Sequence, residues 1–223
     1  IYVSLEMLSI TSYILTGYFY EDIKSTEAGV KYFLFGATMS AAMLYGMSLF
    51  YGITRTTNLA AMAQGLSGAE TSLRGLVTTA LIFLLAGFGF KIAAVPFHQW
   101  APDAYEGAPT PITAFLSIGP KAAGFAVLLR TLLIALPHFS AEWAILLSSI
   151  SIITMIVGNL LAIFQRDVKR MMAYSSIAHA GYMLIGVACW TQGNLPGPFD
   201  GLSGVLIYPV SYTQLTLPTK ANV

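Results

Sequence analysis

Long apolar runs separated by short polar turns make up almost the whole chain. A membrane-crossing helix needs about 20 mostly apolar residues. That length is met over roughly 1–20, 30–53, 75–99, 111–136, 143–165 and 170–190, and a further apolar run begins at 202–208. The pattern predicts an all-α, polytopic helix bundle with about six complete or near-complete spans and a truncated seventh. The second span is rich in Gly, Ala, Ser and Met, small or pliable residues that let membrane helices approach closely. Residues 54–74 are polar and form a connecting loop. Leu59, Met62, Ala63 and Leu66 have helical spacing within it and suggest a short interfacial helix.

Prolines punctuate two spans. Pro96 cannot hydrogen-bond the carbonyl of Ile92 and its ring crowds that carbonyl, so the third span breaks between Lys91 and Pro96. Pro120 frees the carbonyl of Leu116 in the same way, which predicts a second break, with Lys121 in the first turn of a new half-helix. Residues 100–110, WAPDAYEGAPT, read as a turn in which Asp103 and Glu106 serve as turn and cap residues. Broken helices are tolerated in membranes where they line a polar cavity, and they mark sites in transporters.

Composition agrees with the pattern. The chain is 56% hydrophobic and 9% charged, with mean hydropathy +0.71, whereas soluble domains carry roughly a quarter charged residues. A net charge of +1 implies no nucleic-acid or acidic partner. Cys189 is the single cysteine, which excludes an internal disulfide and a thiolate metal cluster, and it reads as a buried reduced thiol. No metal-ligand spacing, nucleotide-binding glycine loop, haem motif or nucleophile triad is visible. The chain starts at Ile1 inside an apolar run, without Met or signal peptide, and reads as an internal fragment covering residues 1–208 of a membrane domain. The Thr-rich tail 209–223 has no amphipathic period and resembles vector or adapter read-through.

Lys and Arg are denser in the loops after the odd spans (Lys24, Lys31, Arg166, Lys169, Arg170) than after the even ones (Arg55, Arg74, with Arg130 ending a span). The loops at 21–29, 100–110 and 166–170 are therefore assigned to the cytoplasmic side.

The chemistry lies in the few charges at membrane depth, which are functional by default because they are costly. Glu6 stands about 22 Å along a helix from the polar turn at Glu21. Lys91 and Lys121 lie inside apolar runs. A buried lysine is a reversible proton carrier and a nearby carboxylate favours its charged form, so Glu6, Lys91 and Lys121 contain the minimum of a proton relay. The competing reading is static: Lys91 and Lys121 would snorkel or bond carbonyls freed by Pro96 and Pro120. Lys31 and Arg130, near span ends, fit snorkelling. His98, at the helix break, passes protons or bonds backbone. His179, with Ser175, Ser176 and Tyr182 nearby, fits a relay or an interhelical hydrogen-bond network.

The segments VPFHQWAPDAYEGAPTPITAFLSIGPKAA and NLLAIFQRDVKRMMAYSSIAHAGYMLIG carry a resemblance. The chain closely resembles the antiporter-like membrane subunits of respiratory complex I over residues 1–208. Within them it is most similar to the subunit N branch of NADH:quinone oxidoreductase, which includes mitochondrial and chloroplast subunit 2. Tyr105-Glu106-Gly107 favours that branch over the M and L subunits. The resemblance implies about fourteen helices in two inverted repeats, each with a broken helix. By motif it matches Glu6 to the family's acidic partner, Lys91 to the lysine on the broken helix, Lys121 to the central relay lysine and Lys31 to a further family lysine. Pro120 stands where a small residue is usual. The implied activity is proton translocation as a subunit of an H⁺-translocating NADH:quinone oxidoreductase. This chain would carry no redox cofactor, with NADH, FMN, Fe–S clusters and quinone in partner subunits. Its surroundings would be other complex I membrane subunits and the lipid of a bacterial inner membrane. A cation/proton antiporter subunit and a non-transporting structural membrane subunit are the alternatives.

Overall fold

In the computed structural model, residues 1–67 and 71–190 are described. Eight α-helices follow in order: α1 Tyr2–Thr16, α2 Ile23–Thr54, α3 Leu59–Ser67, α4 Thr71–Ile92, α5 Trp100–Gly107, α6 Thr110–Arg130, α7 Ser140–Ile163 and α8 Val168–Trp190. A π-helical turn, Thr131–Ala135, and a 3₁₀ turn, Pro137–Phe139, join α6 to α7. No strand occurs among the described residues. Among the described residues, five helical stretches are long and apolar enough to cross a membrane: Ile23–Thr54, Leu73–Ile92, Thr110–Ala135, Pro137–Ile163 and Val168–Trp190. The expected first span is helical only over the 15 residues of α1. The run at 202–208 and the tail at 209–223 lie outside the described residues.

The break in the third span lies where proline chemistry puts it. α4 ends at Ile92, four residues before Pro96, and the Val95–Pro96 bond is cis. Ala93 takes the left-handed conformation at φ 58°. Its N–H bonds the Phe90 carbonyl at 3.1 Å, and the Ala94 N–H bonds the Gly89 carbonyl at 2.7 Å. This pairing closes the last turn and satisfies carbonyls that a helix end leaves open. Two side chains complete the closure. Trp100 Nε1 donates to the Phe90 carbonyl at 3.1 Å, and Thr154 Oγ1 of α7 accepts from the Val95 N–H at 3.0 Å. Trp100 stacks on Tyr32 with ring centroids 4.1 Å apart, pinning the start of α5 against α2.

Three elements differ from the sequence pattern. The turn at 100–110 contains the two-turn helix α5, so Asp103 and Glu106 lie within a helix and do not cap a turn. α2 starts at Ile23, so most of the loop expected at 21–29 is helical, capped by Asp22 accepting from the Lys24 N–H at 3.0 Å. α6 passes through Pro120 unbroken. Lys121 is therefore mid-helix, and the half-helix expected to begin there does not exist. Membrane helices tolerate an interior proline when their neighbours hold them, and both Leu116 and Pro120 are buried against surrounding helices. The irregularity comes later, in the π turn that ends this stretch. Cys189 is a further correction: it is a free thiol exposed on the outer face of α8, not a buried one. The α3 helix falls where the spacing of Leu59, Met62, Ala63 and Leu66 placed it.

Two apolar clusters form the interior. One, with Phe88, Leu128, Leu132, Trp143 and Leu184, fills the space among α4, α6, the π turn, α7 and α8. The other, with Tyr13, Tyr32, Phe90, Trp100, Tyr105 and Ile177, surrounds the break. Small residues bring the helices this close. A Cβ on Gly107 would stand 2.5 Å from the Lys24 carbonyl oxygen, whereas one on Gly52 would meet nothing within 4 Å. Gly107→Ala is thus expected to destabilise the full-length subunit by about 1–3 kcal/mol. Gly52→Ala should leave stability unchanged or raise it by up to about 1 kcal/mol. Thermal unfolding in detergent separates the two outcomes.

Candidate functional site: buried lysines in the bundle

α1 is amphipathic in a membrane sense. Val3, Met7, Ile10 and Ile14 form an exposed stripe, and Leu5, Ser9, Ser12 and Tyr13 face inward. The hydroxyls of Ser9 and Ser12 donate back to carbonyls four residues earlier, at 2.8 Å each. Glu6 lies at the edge of this inner face, opposite the end of α4. Lys91 Nζ meets Glu6 Oε1 at 2.8 Å and donates to Ser9 Oγ at 2.6 Å. Ser40 of α2 donates to the same carboxylate oxygen at 2.8 Å. The Lys91 side chain is 6% exposed and that of Glu6 20%, so both ions are largely withdrawn from solvent. Such ions persist only when paired and hydrogen-bonded. Three helices, α1, α2 and α4, meet at this one pair.

Lys121 occupies a different seat. It is 4% exposed, and its Nζ donates to Ser176 Oγ at 2.6 Å and to the Ser176 carbonyl at 3.1 Å on α8. The amine also stands 5.9 Å from the centre of the Tyr105 ring on α5. A Cβ on Gly124 would lie 3.3 Å from Lys91 Cβ, so α4 rests on α6 one helical turn beyond Lys121. The two lysines flank one helix contact and reach different partners from it, α1 for Lys91 and α8 for Lys121.

The remaining candidates are distributed around these seats. His98 lies in the break with its Nδ1 buried and without a hydrogen-bond partner among the described residues, and its ring centroid is 6.4 Å from that of Tyr174. His179 is three residues beyond Ser176 on α8 and packs edge-on to Tyr182 at 5.5 Å. The hydrogen-bond network expected near His179 includes Ser176, and Tyr182 OH accepts from Asn159 at 3.1 Å. Lys31 does not join the buried lysines, nor does it snorkel free of partners. It pairs with Glu27 at 2.7 Å and Asp103 at 2.9 Å.

Asp103 and Glu106 belong to an ion network that the sequence reading missed. Arg170 of α8 bridges Asp103 at 2.6 Å and Glu106 at 2.9 Å, and Lys24 of α2 holds Glu106 at 2.8 Å. Lys169 donates to the carbonyl of Ala108 at 2.9 Å. The network clamps α2, α5 and α8 around a cleft of about 190 Å³. It also places the loops near 21–29, 100–110 and 166–170 at the same end of the bundle. The signal available was the i, i+3 spacing of the two carboxylates on the same side as the densest Lys and Arg.

The comparisons with known proteins bear on this geometry directly. The family profile described as "NADH:quinone oxidoreductase/Mrp antiporter, TM" matches residues 1–216. The chain belongs to this family. It is 49% identical to NADH-quinone oxidoreductase subunit N of Trichlorobacter lovleyi, over 100% of this chain and 44% of that protein. It is also 49% identical to NAD(P)H-quinone oxidoreductase subunit 2 of the Paulinella chromatophora organellar chromatophore, over 100% of this chain and 42% of that one. The fold matches a chain of respiratory complex I from Thermus thermophilus, solved with bound aureothin. There the TM-score is 0.78 and the identity 37%, over 99% of this chain and 44% of that chain. The chain thus spans less than half the length of these antiporter-like relatives.

Two outcomes follow for the full-length subunit. Removing either member of the interior pair leaves its partner charge buried, so Glu6→Ala and Lys91→Ala should each cost about 3–5 kcal/mol. The double variant should cost less than their sum, read by a double-mutant cycle on denaturant unfolding in detergent. The second concerns the clamp. Burial raises the Asp103 pKa, but the Lys31 and Arg170 bonds outweigh it and hold the carboxyl below its usual 3.8. Lys24 first, and then Arg170, hold Glu106 below its usual 4.5. The stabilisation from these depressed carboxyls is complete above the ordinary carboxylate range and is lost as pH falls through the lowered values. Arg170→Met should therefore destabilise by about 1–2 kcal/mol at neutral pH, with the gap to wild type narrowing below about pH 4.

Proposed function

We propose that the chain is part of a proton-translocating membrane subunit of an NADH:quinone oxidoreductase, of the subunit N kind. The observation that carries this reading is the Glu6–Lys91 ion pair inside the bundle, with Lys121 seated one helix contact away. A purely structural subunit has no use for ions that are costly to bury. Quinone reduction in partner subunits would alter the Glu6–Lys91 pair. With Glu6 in place the ammonium of Lys91 is favoured, and when the carboxylate is drawn away or neutralised that proton becomes available to Lys121 and onward. His98 in the break and His179 beside the second seat are candidate way-stations, and Lys31 a further relay lysine at the clamped end. No redox cofactor is assigned to this chain. NADH, FMN, Fe–S clusters and quinone belong to the partner subunits in this reading.

The exposed apolar faces of α1 and α7, the latter with Ile145, Ile152, Ile156, Leu160 and Ile163, fit lipid and neighbouring membrane subunits. The proposed location is a bacterial inner membrane with the clamped end toward the cytoplasm. The test is NADH-driven acidification in inverted membrane vesicles carrying the full-length subunit. Arginine keeps its proton under all working conditions, so Lys121→Arg should assemble yet block pumping, as Lys121→Ala does. Wild-type pumping by the arginine variant would reduce Lys121 to a fixed charge and remove the relay. Proton movement driven by a sodium gradient, and not by NADH, would assign the chain to an antiporter instead.

A further inference from the structure

The two lysine seats differ in what their partners can do. A carboxylate only accepts hydrogen bonds, so Glu6 answers the N–H groups of Lys91 and has nothing to offer the lone pair of a neutral amine. A hydroxyl has one proton and two lone pairs and can do both. Ser176 is 2% exposed and sits 2.6 Å from Lys121 Nζ. Its one proton has two acceptors in reach besides the lysine, the Ala173 carbonyl at 3.0 Å and Tyr105 OH at 3.3 Å. With Lys121 charged, the hydroxyl accepts from the ammonium and directs its own proton to one of those oxygens. With Lys121 neutral, rotation about the Cβ–Oγ bond turns that proton onto the amine lone pair. No heavy atom has to move.

We propose that Ser176 is the positioning residue that lets Lys121 gain and release a proton in place, with the Ala173 carbonyl and Tyr105 OH accepting the serine hydroxyl's hydrogen bond while the lysine is charged. This rests on the reading of Lys121 as a proton carrier and adds what makes its two states interchangeable. The residue acts through Lys121 and forms no covalent bond. The ion clamp of Arg170 on Asp103 and Glu106 holds α5 against α8 and so keeps Tyr105 within reach of Ser176.

The test uses the assembled complex with the full-length subunit, in inverted vesicles. Ser176→Ala should slow NADH-driven pumping about tenfold and displace the acid–base profile of the pumping rate by roughly one pH unit. Ser176→Thr, which keeps the hydroxyl, should restore both. Ser176→Cys keeps the side-chain shape but is a weak donor and acceptor, so it should reproduce the loss and supplies the reading if the alanine variant does not accumulate. Tyr105→Phe should displace the profile in the same direction by less. An unchanged profile and rate in the alanine or cysteine variant, alongside blocked pumping by Lys121→Ala, overturns the role of Ser176 and leaves the relay standing. Intact pumping by Lys121→Ala overturns the relay itself, and this proposal with it.

Discussion

In a bilayer no water is at hand to answer a polar group, and that constraint governs the whole arrangement. Each interior charge has to be met by another part of the chain. The Glu6–Lys91 pair meets it by drawing three helices to a point, with Ser9 and Ser40 supplying the remaining hydrogen bonds. The broken backbone at Ala93–Gln99 meets it with an indole N–H and a threonine hydroxyl. The architecture around the break is thus a consequence of polar satisfaction as much as of apolar packing. The aromatic stack of Tyr32, Phe90 and Trp100 then shields those bonds from competition.

The parts legible in the sequence are those governed by strong local terms. Apolar run length fixes the spans, and proline's missing N–H fixes the end of α4 at Ile92. The cost of a lone buried ion singles out Glu6, Lys91 and Lys121 as charges that need partners. The rest depended on terms the sequence does not display. Pro120 fails to break α6 because packing on both sides outweighs one lost hydrogen bond, and the half-helix expected to start at Lys121 falls with it. Ser176 and Tyr105 are hydroxyls like many others in the chain, made significant only by the distance to one amine. Asp103 and Glu106 look like ordinary turn residues until α5 carries them to Arg170. Cys189 illustrates the limit of composition, since cysteine is usually buried but its place on the outer face of α8 decides otherwise.

Ion pairs play two distinct parts here. The clamp of Lys24, Lys31, Asp103, Glu106 and Arg170 lies at the end of the bundle with partly exposed side chains, where each pair adds modestly and the network sets helix register. The interior pair is withdrawn from solvent, where attraction and desolvation nearly cancel and small displacements change the balance. The first arrangement suits holding elements still. The second suits a responsive element, because its free energy is a small difference of large terms.

The contact of Gly124 with Lys91 has a mechanical meaning. With no side chain at 124, α4 and α6 meet along a smooth seam, with the Lys91 amine directed to α1 and the Lys121 amine to α8. α6 is continuous, so it behaves as a rod whose side chains cannot be re-aimed by a local hinge. A roll of α4 about the seam would draw on one lysine's contacts while the rod holds the other in place. The unbroken helix gives Lys121 a seat in mid-helix, and the break gives Lys91 a seat at a helix end.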